Sequence, residues 1–343
     1  MVFDKTFGQR LLIWLFYAIT SGIILLVLIT HPEIEEGKHS AFPDMVYGRA
    51  NKPYVYRALL PITVRIIAGI TPERMKEKII QFISSRTFIR KIIEDKVEDK
   101  YMYEYLIALV LIFGCFLGLA FLLRYSLRLF YNLPPFVADF APVGGLLSLP
   151  LFFRHYFYLY DPSTLFLFTL AITLIATRKY LLFYIVFLFS AVNKETSILL
   201  LGVFLIENLR SPKLDWRLIG HLSLQLVLWT VARVFITNIF KVNPGSFVEF
   251  HLLDYNLQLI FRPFRLIYFL IIFALFFSLV RYHWNEKPFF LRTGLLITWV
   301  PLVTFALFFG FLDEMRAYCE TFPFVFLLSV PTVVELFNIN KSQ

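Results

Sequence analysis

The chain has 343 residues, 59% of them hydrophobic and 41 of them Phe, with a mean hydropathy of +0.71 and a formal net charge of +9. A soluble globular chain averages roughly 45–50% apolar residues, and no aqueous fold of this size hides so many phenylalanines, so a water-soluble enzyme or binding domain is excluded. The positive balance does not point to nucleic acid, because no contiguous basic face with interleaved aromatics occurs; it matches the Lys/Arg excess of cytoplasmic loops in membrane proteins.

Crossing the hydrocarbon takes about 20 residues. Apolar runs predict spans at 11–30, 104–123, 134–153, 162–177, 180–193, 196–209, 218–238, 264–281, 293–311 and 322–338. The first run is long and lacks a small-residue cleavage site, so it is expected to be a true first span rather than a signal peptide. Residues 31–103 are then expected to form one long extracytoplasmic segment. Within it, 58–71 (ALLPITVRIIAGIT) is short and carries Pro61 and Arg65, which predicts an interfacial helix rather than a span. The stretch at about 73–100 mixes both signs of charge with Ile79, Ile80, Phe82, Ile83, Phe88, Ile89, Ile92 and Ile93. That pattern suits amphipathic helices on the membrane surface, although a solvated charged helix shows the same mixture. The fold class expected is therefore all-α: a polytopic transmembrane helical bundle of about ten spans, with extracytoplasmic amphipathic helices after the first, forming a single integral domain over 1–343.

Placing the N-terminus in the cytoplasm puts Lys5, Arg10, Arg124, Arg128, Arg178, Lys179, Arg210, Lys213, Arg217, Arg281, Lys287, Arg292 and Lys341 on that side. The opposite short loops hold only Arg154, Lys194, Lys241, Arg262, Arg265 and Arg316. This asymmetry predicts that both termini are cytoplasmic. Cys115 and Cys319 lie too far apart for a CxxC site and read as small buried apolar groups.

With that topology, four loops carry charge to one membrane face. The first outer loop holds Asp44, Tyr54 and Arg57 in FPDMVYGRANKPYVYRALLP. The next outer loops hold Arg154, His155, Tyr160 and Asp161 ahead of YDPSTLFLF, then Asn193, Lys194 and Glu195 in NKETS, then Asp313, Glu314, Arg316 and Glu320 in DEMRAYCETFPF. Charges at membrane depth are costly and usually face a cavity or a partner, so their convergence predicts a polar outer-face cavity. Each residue also has a plainer reading. Asp161 can cap the helix that opens with Pro162, Ser163 and Thr164, and Glu195 can complement a helix dipole. Lys194 and Arg233 can snorkel, Arg57 can anchor at the interface, and Glu314 and Arg316 can pair only with each other. His155 reads as an ordinary aromatic-loop histidine, and Asp139 lies away from the set.

No Walker loop, GxSxG, HExxH, zinc spacing or dinucleotide fingerprint occurs, which argues against an ATPase, a serine hydrolase and a zinc protease. Carboxylates and guanidinium groups at a lipid–water boundary suit transfer of a sugar from a lipid phosphate. A carboxylate takes the acceptor's proton, Arg or Lys holds the leaving phosphate, and a Phe-lined groove holds the prenyl tail. An Asp in the first outer loop followed by YRALLP, YDPSTLFLF, NKETS and DEMRAYCETFPF is similar to bacterial and archaeal membrane proteins of the GT-C glycosyltransferase superfamily. That resemblance implies a polyprenyl-phosphate-linked sugar donor, a glycan, lipid or protein acceptor, a place in a prokaryotic plasma membrane, and Asp44 as general base. Lys194, Arg57 and Arg316 are then expected to hold the donor phosphate. Asp161 and Glu195 are expected to orient sugar, metal or the basic groups, with Tyr54, Arg233 and Glu314 in the substrate site. The acidic pair frequent in that loop is missing, with Glu33, Glu35 and Glu36 upstream instead, so a divalent metal such as Mg or Mn stays open. Two other classes remain: a transporter or flippase for a lipid-linked or anionic solute, for which paired halves with interrupted helices are not visible, and a non-catalytic assembly subunit.

Overall fold

A computed structural model describes residues 5–31, 34, 40–86, 96–209, 216–246 and 248–337. Seven helical stretches are long and apolar enough to cross a membrane: Gly8–Thr30, Asp99–Phe130, Pro135–Phe152, Trp216–Ile239, Pro263–Arg281, Phe289–Phe309 and Met315–Leu336. Their helices are α1 (Lys5–Thr30), α5 (Met102–Phe130), α6 (Pro135–Phe152), α10 (Trp216–Ile239), α11 (Pro263–Arg281), α12 (Phe289–Phe309) and α13 (Phe322–Leu336), the last preceded by a 3₁₀ stretch Met315–Thr321. Among the described residues no strand forms, and only an isolated bridge joins Ile34 to Phe157. The architecture is an all-helical, multi-pass membrane bundle.

Three predicted spans are shorter helices: α7 (Asp161–Ala176, 16 residues), α8 (Tyr180–Asn193, 14 residues) and α9 (Leu199–Asn208, 10 residues). At 1.5 Å per residue none reaches the roughly 30 Å of a bilayer core. The reason lies in α7. It is apolar on every side, as a fully enclosed helix must be, and nearly all of it is buried between α5, α8 and α9. Close helix approach depends on small residues: a Cβ at Gly202 of α9 would stand 2.5 Å from Ile297 of α12, and one at Gly294 of α12 would stand 2.5 Å from Phe324 of α13.

Between α1 and α5 lie three helices: α2 (Phe42–Val46), α3 (Leu59–Ile70) and α4 (Glu73–Ser84). The 12 residues of α3 bury Leu60, Pro61, Val64 and Ala68 against α5 and expose Ile66 and Ile70. Arg65 does not break it. In α4 no residue is buried, and Lys76 pairs with Glu73 at 2.6 Å. Glu33, Glu35, Glu36, Phe88, Ile89, Ile92, Ile93, Arg210, Lys213 and Lys341 lie outside the described residues. Contacts such as Arg57–Glu195, Asn243–Ala50, Asn256–Leu307 and Arg316–Tyr160 join loops at one end of the bundle. The α6–α7, α8–α9, α10–α11 and α12–α13 turns and the α1–α5 segment share one end, called here the site end.

Candidate functional site

Four of the charge-bearing loops meet at the site end and interlock. The DPST and NKE stretches are joined first by uncharged groups. Ser163 donates to the Asn193 side-chain oxygen at 2.7 Å, and the Asn193 amide donates to Thr164 Oγ1 at 2.9 Å. This clasp fixes the start of α7 against the end of α8. Asp161 does not cap its own helix. Its carboxylate accepts the Tyr158 backbone N–H at 2.9 Å, which holds the incoming loop, and it is completely buried. Its other oxygen lies 3.5 Å from the Arg316 guanidinium and lacks a hydrogen bond.

Around this clasp the acids and bases pair. Glu195 receives Arg57 at 2.7 Å and stands 3.7 Å from Arg233. Burial by itself would raise the Glu195 pKa, but the Arg57 guanidinium, with Arg233 behind it, holds the carboxyl down to about 2. Lys194 meets Glu320 at 2.8 Å, and Thr196 also donates to Glu320. Burial pulls the Lys194 ammonium down, yet the Glu320 carboxylate outweighs it and leaves the group above its ordinary range. Arg316 donates twice to one Glu314 oxygen, at 3.0 and 2.7 Å. Arg233 does not snorkel. It is buried in α10 and donates to the backbone oxygens of Tyr56 and Ala191 at 3.2 and 3.4 Å.

A stack of tyrosines closes one side of the network. Tyr54 lies on Tyr158 at 5.3 Å, and Tyr158 lies on Tyr160 at 5.4 Å. Arg57 sits over the Tyr160 ring at 4.6 Å and Arg316 over the Tyr158 ring at 4.2 Å. Both guanidinium groups donate to the Tyr160 hydroxyl. Burial pushes that phenol up to about 12 against the pull of Arg57 and Arg316, so it remains a neutral bridge at physiological pH.

The structure thus brings together Arg57, Tyr54, Asp161, Lys194, Glu195, Arg233, Glu314 and Arg316. Asp44 is not among them. It sits in α2 and pairs with Arg49 at 3.0 Å, with side chains 40% and 56% exposed. In the network itself, the bases Arg57, Lys194, Arg233 and Arg316 face the acids Asp161, Glu195, Glu314 and Glu320, four against four. Each carboxylate is engaged by a cation, and among the described residues no group of three His, Cys, Asp or Glu side chains is placed to hold a metal ion. In this arrangement each network carboxylate is already paired with a cation of the chain itself. Sequence reasoning missed Tyr158 and the Ser163–Asn193–Thr164 clasp. The alternation of Tyr156, Tyr158 and Tyr160 was the available signal for the stack.

Beside the network, α11, α12 and α13 enclose an apolar groove of about 590 Å³. Its walls run from Arg281 and Trp284 past Phe277, Trp299 and Phe273 to Leu312 and Met315. At the Met315 end it meets a notch of about 10 Å³, lined by Arg154, His155, Tyr268, Asp313 and Glu314. Compared with known protein families, curated proteins and solved structures, the chain matches none.

Proposed function

We propose that this chain is a membrane glycosyltransferase of GT-C type that transfers a sugar from a polyprenyl-phosphate-linked donor to a glycan, lipid or protein acceptor. The observation that carries the reading is the adjacency of a buried acid–base network and a lipid-sized apolar groove. Met315 lines the groove, and the next residue, Arg316, belongs to the network. In this reading the site end faces the non-cytoplasmic side of a prokaryotic plasma membrane and both termini are cytoplasmic. Helices α7, α8 and α9, each shorter than the bilayer core, pack within the bundle and add to the seven long helices to make about ten passes, while α3 and α4 rest in the outer interface. Glu195, Glu314 and Glu320 hold Arg57, Arg316 and Lys194 in fixed positions, so the cations meet a developing phosphate charge without reorganising. Asp44 acts as general base from the short helix α2. Its surface pairing with Arg49 is worth only about 0–1 kcal/mol and yields readily to an acceptor hydroxyl.

The test is binding and turnover of a polyprenyl-phosphate sugar by purified variants. Lys194→Ala and Arg316→Ala are expected to weaken both. Undiminished affinity in both, with normal turnover, would remove the phosphate-holding role.

A further inference from the structure

Arg57, Lys194, Arg233 and Arg316 are all engaged inside the network, which leaves open where a lipid phosphate first docks. Arg154 differs from them. It is exposed, it stacks on the Tyr268 ring at 4.0 Å, and among the described residues no carboxylate lies within ion-pair distance of it. It borders the notch at the Met315 end of the groove. Opposite it, Asp313 is buried with one carboxylate oxygen lacking any hydrogen bond, while the other accepts Tyr255 at 3.3 Å and stands 3.8 Å from Arg265. Glu314 also lines the notch and is neutralised by Arg316. Burial, and then Arg265, lower the His155 imidazole pKa, so it adds no charge at neutral pH. Asp313 thus faces Arg265, and Glu314 shares Arg316 with Asp161, which leaves Arg154 as the notch cation without a carboxylate partner among the described residues.

Three features now lie in a row. The groove follows α11 from Phe269 to Arg281, about 18 Å at 1.5 Å per residue, over half of a bilayer core of roughly 30 Å. The stacked guanidinium is a free planar fork suited to phosphate oxygens. The unpartnered Asp313 oxygen is a buried acceptor that lacks its donor, a costly state in the absence of a ligand.

We propose that groove and notch form one lipid-phosphate seat, with a prenyl chain between α11, α12 and α13, the phosphate on Arg154, and a hydroxyl or ammonium of the head group donating to Asp313. This rests on the glycosyltransferase reading only in taking that lipid to be the donor substrate. A lipid seated there has its head group one side chain, Glu314, away from Arg316.

Trp284 and Trp299 line the groove, so their fluorescence reports its occupancy. Decaprenyl phosphate with a brominated chain is titrated into the purified protein, beside the matching brominated prenol and inorganic phosphate. The phosphate lipid is expected to quench with at least tenfold higher affinity than the prenol, and Trp299→Phe is expected to remove much of the quenching. Arg154→Gln should abolish that tenfold preference while leaving prenol binding unchanged, and Arg154→Lys should restore part of it. Val303→Trp, which narrows the groove wall, should weaken both lipids. Equal affinity of wild type and Arg154→Gln for the phosphate lipid, or no preference over prenol, overturns the proposal. Competition by millimolar inorganic phosphate as strong as that by the lipid would also overturn it in favour of a soluble-phosphate site. Selective lipid-phosphate binding in a protein that transfers no sugar would sustain the seat and remove the glycosyltransferase reading.

Discussion

Glu195 and Asp44 are both carboxylates paired with arginine, and they are expected to behave in opposite ways. Glu195 faces two guanidinium groups, and Glu195→Gln strands Arg57 and Arg233 in a buried site. Glu195 itself is 30% exposed, but its partners Arg57 and Arg233 are only 13% and 7% exposed. This variant is therefore expected to unfold at clearly lower temperature, at a cost below the ~3–5 kcal/mol of breaking a fully buried pair. Asp44→Asn removes an exposed pair and is expected to stay within about 0.5 kcal/mol of wild type. Thermal unfolding in detergent checks both, and equal effects would contradict the burial difference. The pH dependence has a defined sign. Because the folded pKa of Glu195 is held below its ordinary value, the stability it contributes is present above about 4.5 and is lost as pH falls through about 2. A stability profile that is flat across that window in wild type, and identical in Glu195→Gln, would contradict it. At this scale the charged lips were legible in the sequence, since a lone Asp or Lys against an apolar run stands out. Their partners were not. Arg57 and Glu195, or Lys194 and Glu320, are joined by tertiary packing over more than a hundred residues, and no local periodicity records that.

Between elements, the determinant is how closely short helices can approach. Gly294→Val would drive its Cβ into the Phe324 ring, where only 2.5 Å is available. Overpacking of this kind typically costs about 1–3 kcal/mol. Gly8, with nothing within 4 Å of an added Cβ, is the control: Gly8→Val should fall well below Gly294→Val in destabilisation. Asn193→Ala is expected to cost about 0.5–1.5 kcal/mol, because it removes buried side-chain hydrogen bonds to Ser163 and Thr164 while both hydroxyls keep the Tyr160 carbonyl. The long helices were readable from hydropathy. The shortness of α7, α8 and α9 was not, because an apolar run reads alike whether lipid or protein surrounds it. The extent of α5 was also underestimated: it continues to Phe130, since Arg124 and Arg128 on its last turns pair with Asp139 at the opposite end of the bundle.

For the whole molecule, the gathering of these loops at one end makes sidedness testable. Cys319 is fully buried and cannot report it. In a background with Cys115→Ser and Cys319→Ser, exposed Lys241→Cys at the site end should react with an impermeant thiol reagent in intact cells. Asn285→Cys, exposed at the other end, should not. The reverse pattern would invert the orientation proposed above. The central claim is sugar transfer with Asp44 as base. Its most direct measurement is release of polyprenyl phosphate from a polyprenyl-phosphate sugar by the reconstituted protein, supplied with envelope glycan and lipid fractions as acceptors. Wild type is expected to turn over, and Asp44→Asn to fall by about 10²–10⁴-fold, the usual contribution of a general base, with donor affinity unchanged. No release by wild type, or equal rates in Asp44→Asn, would contradict the account.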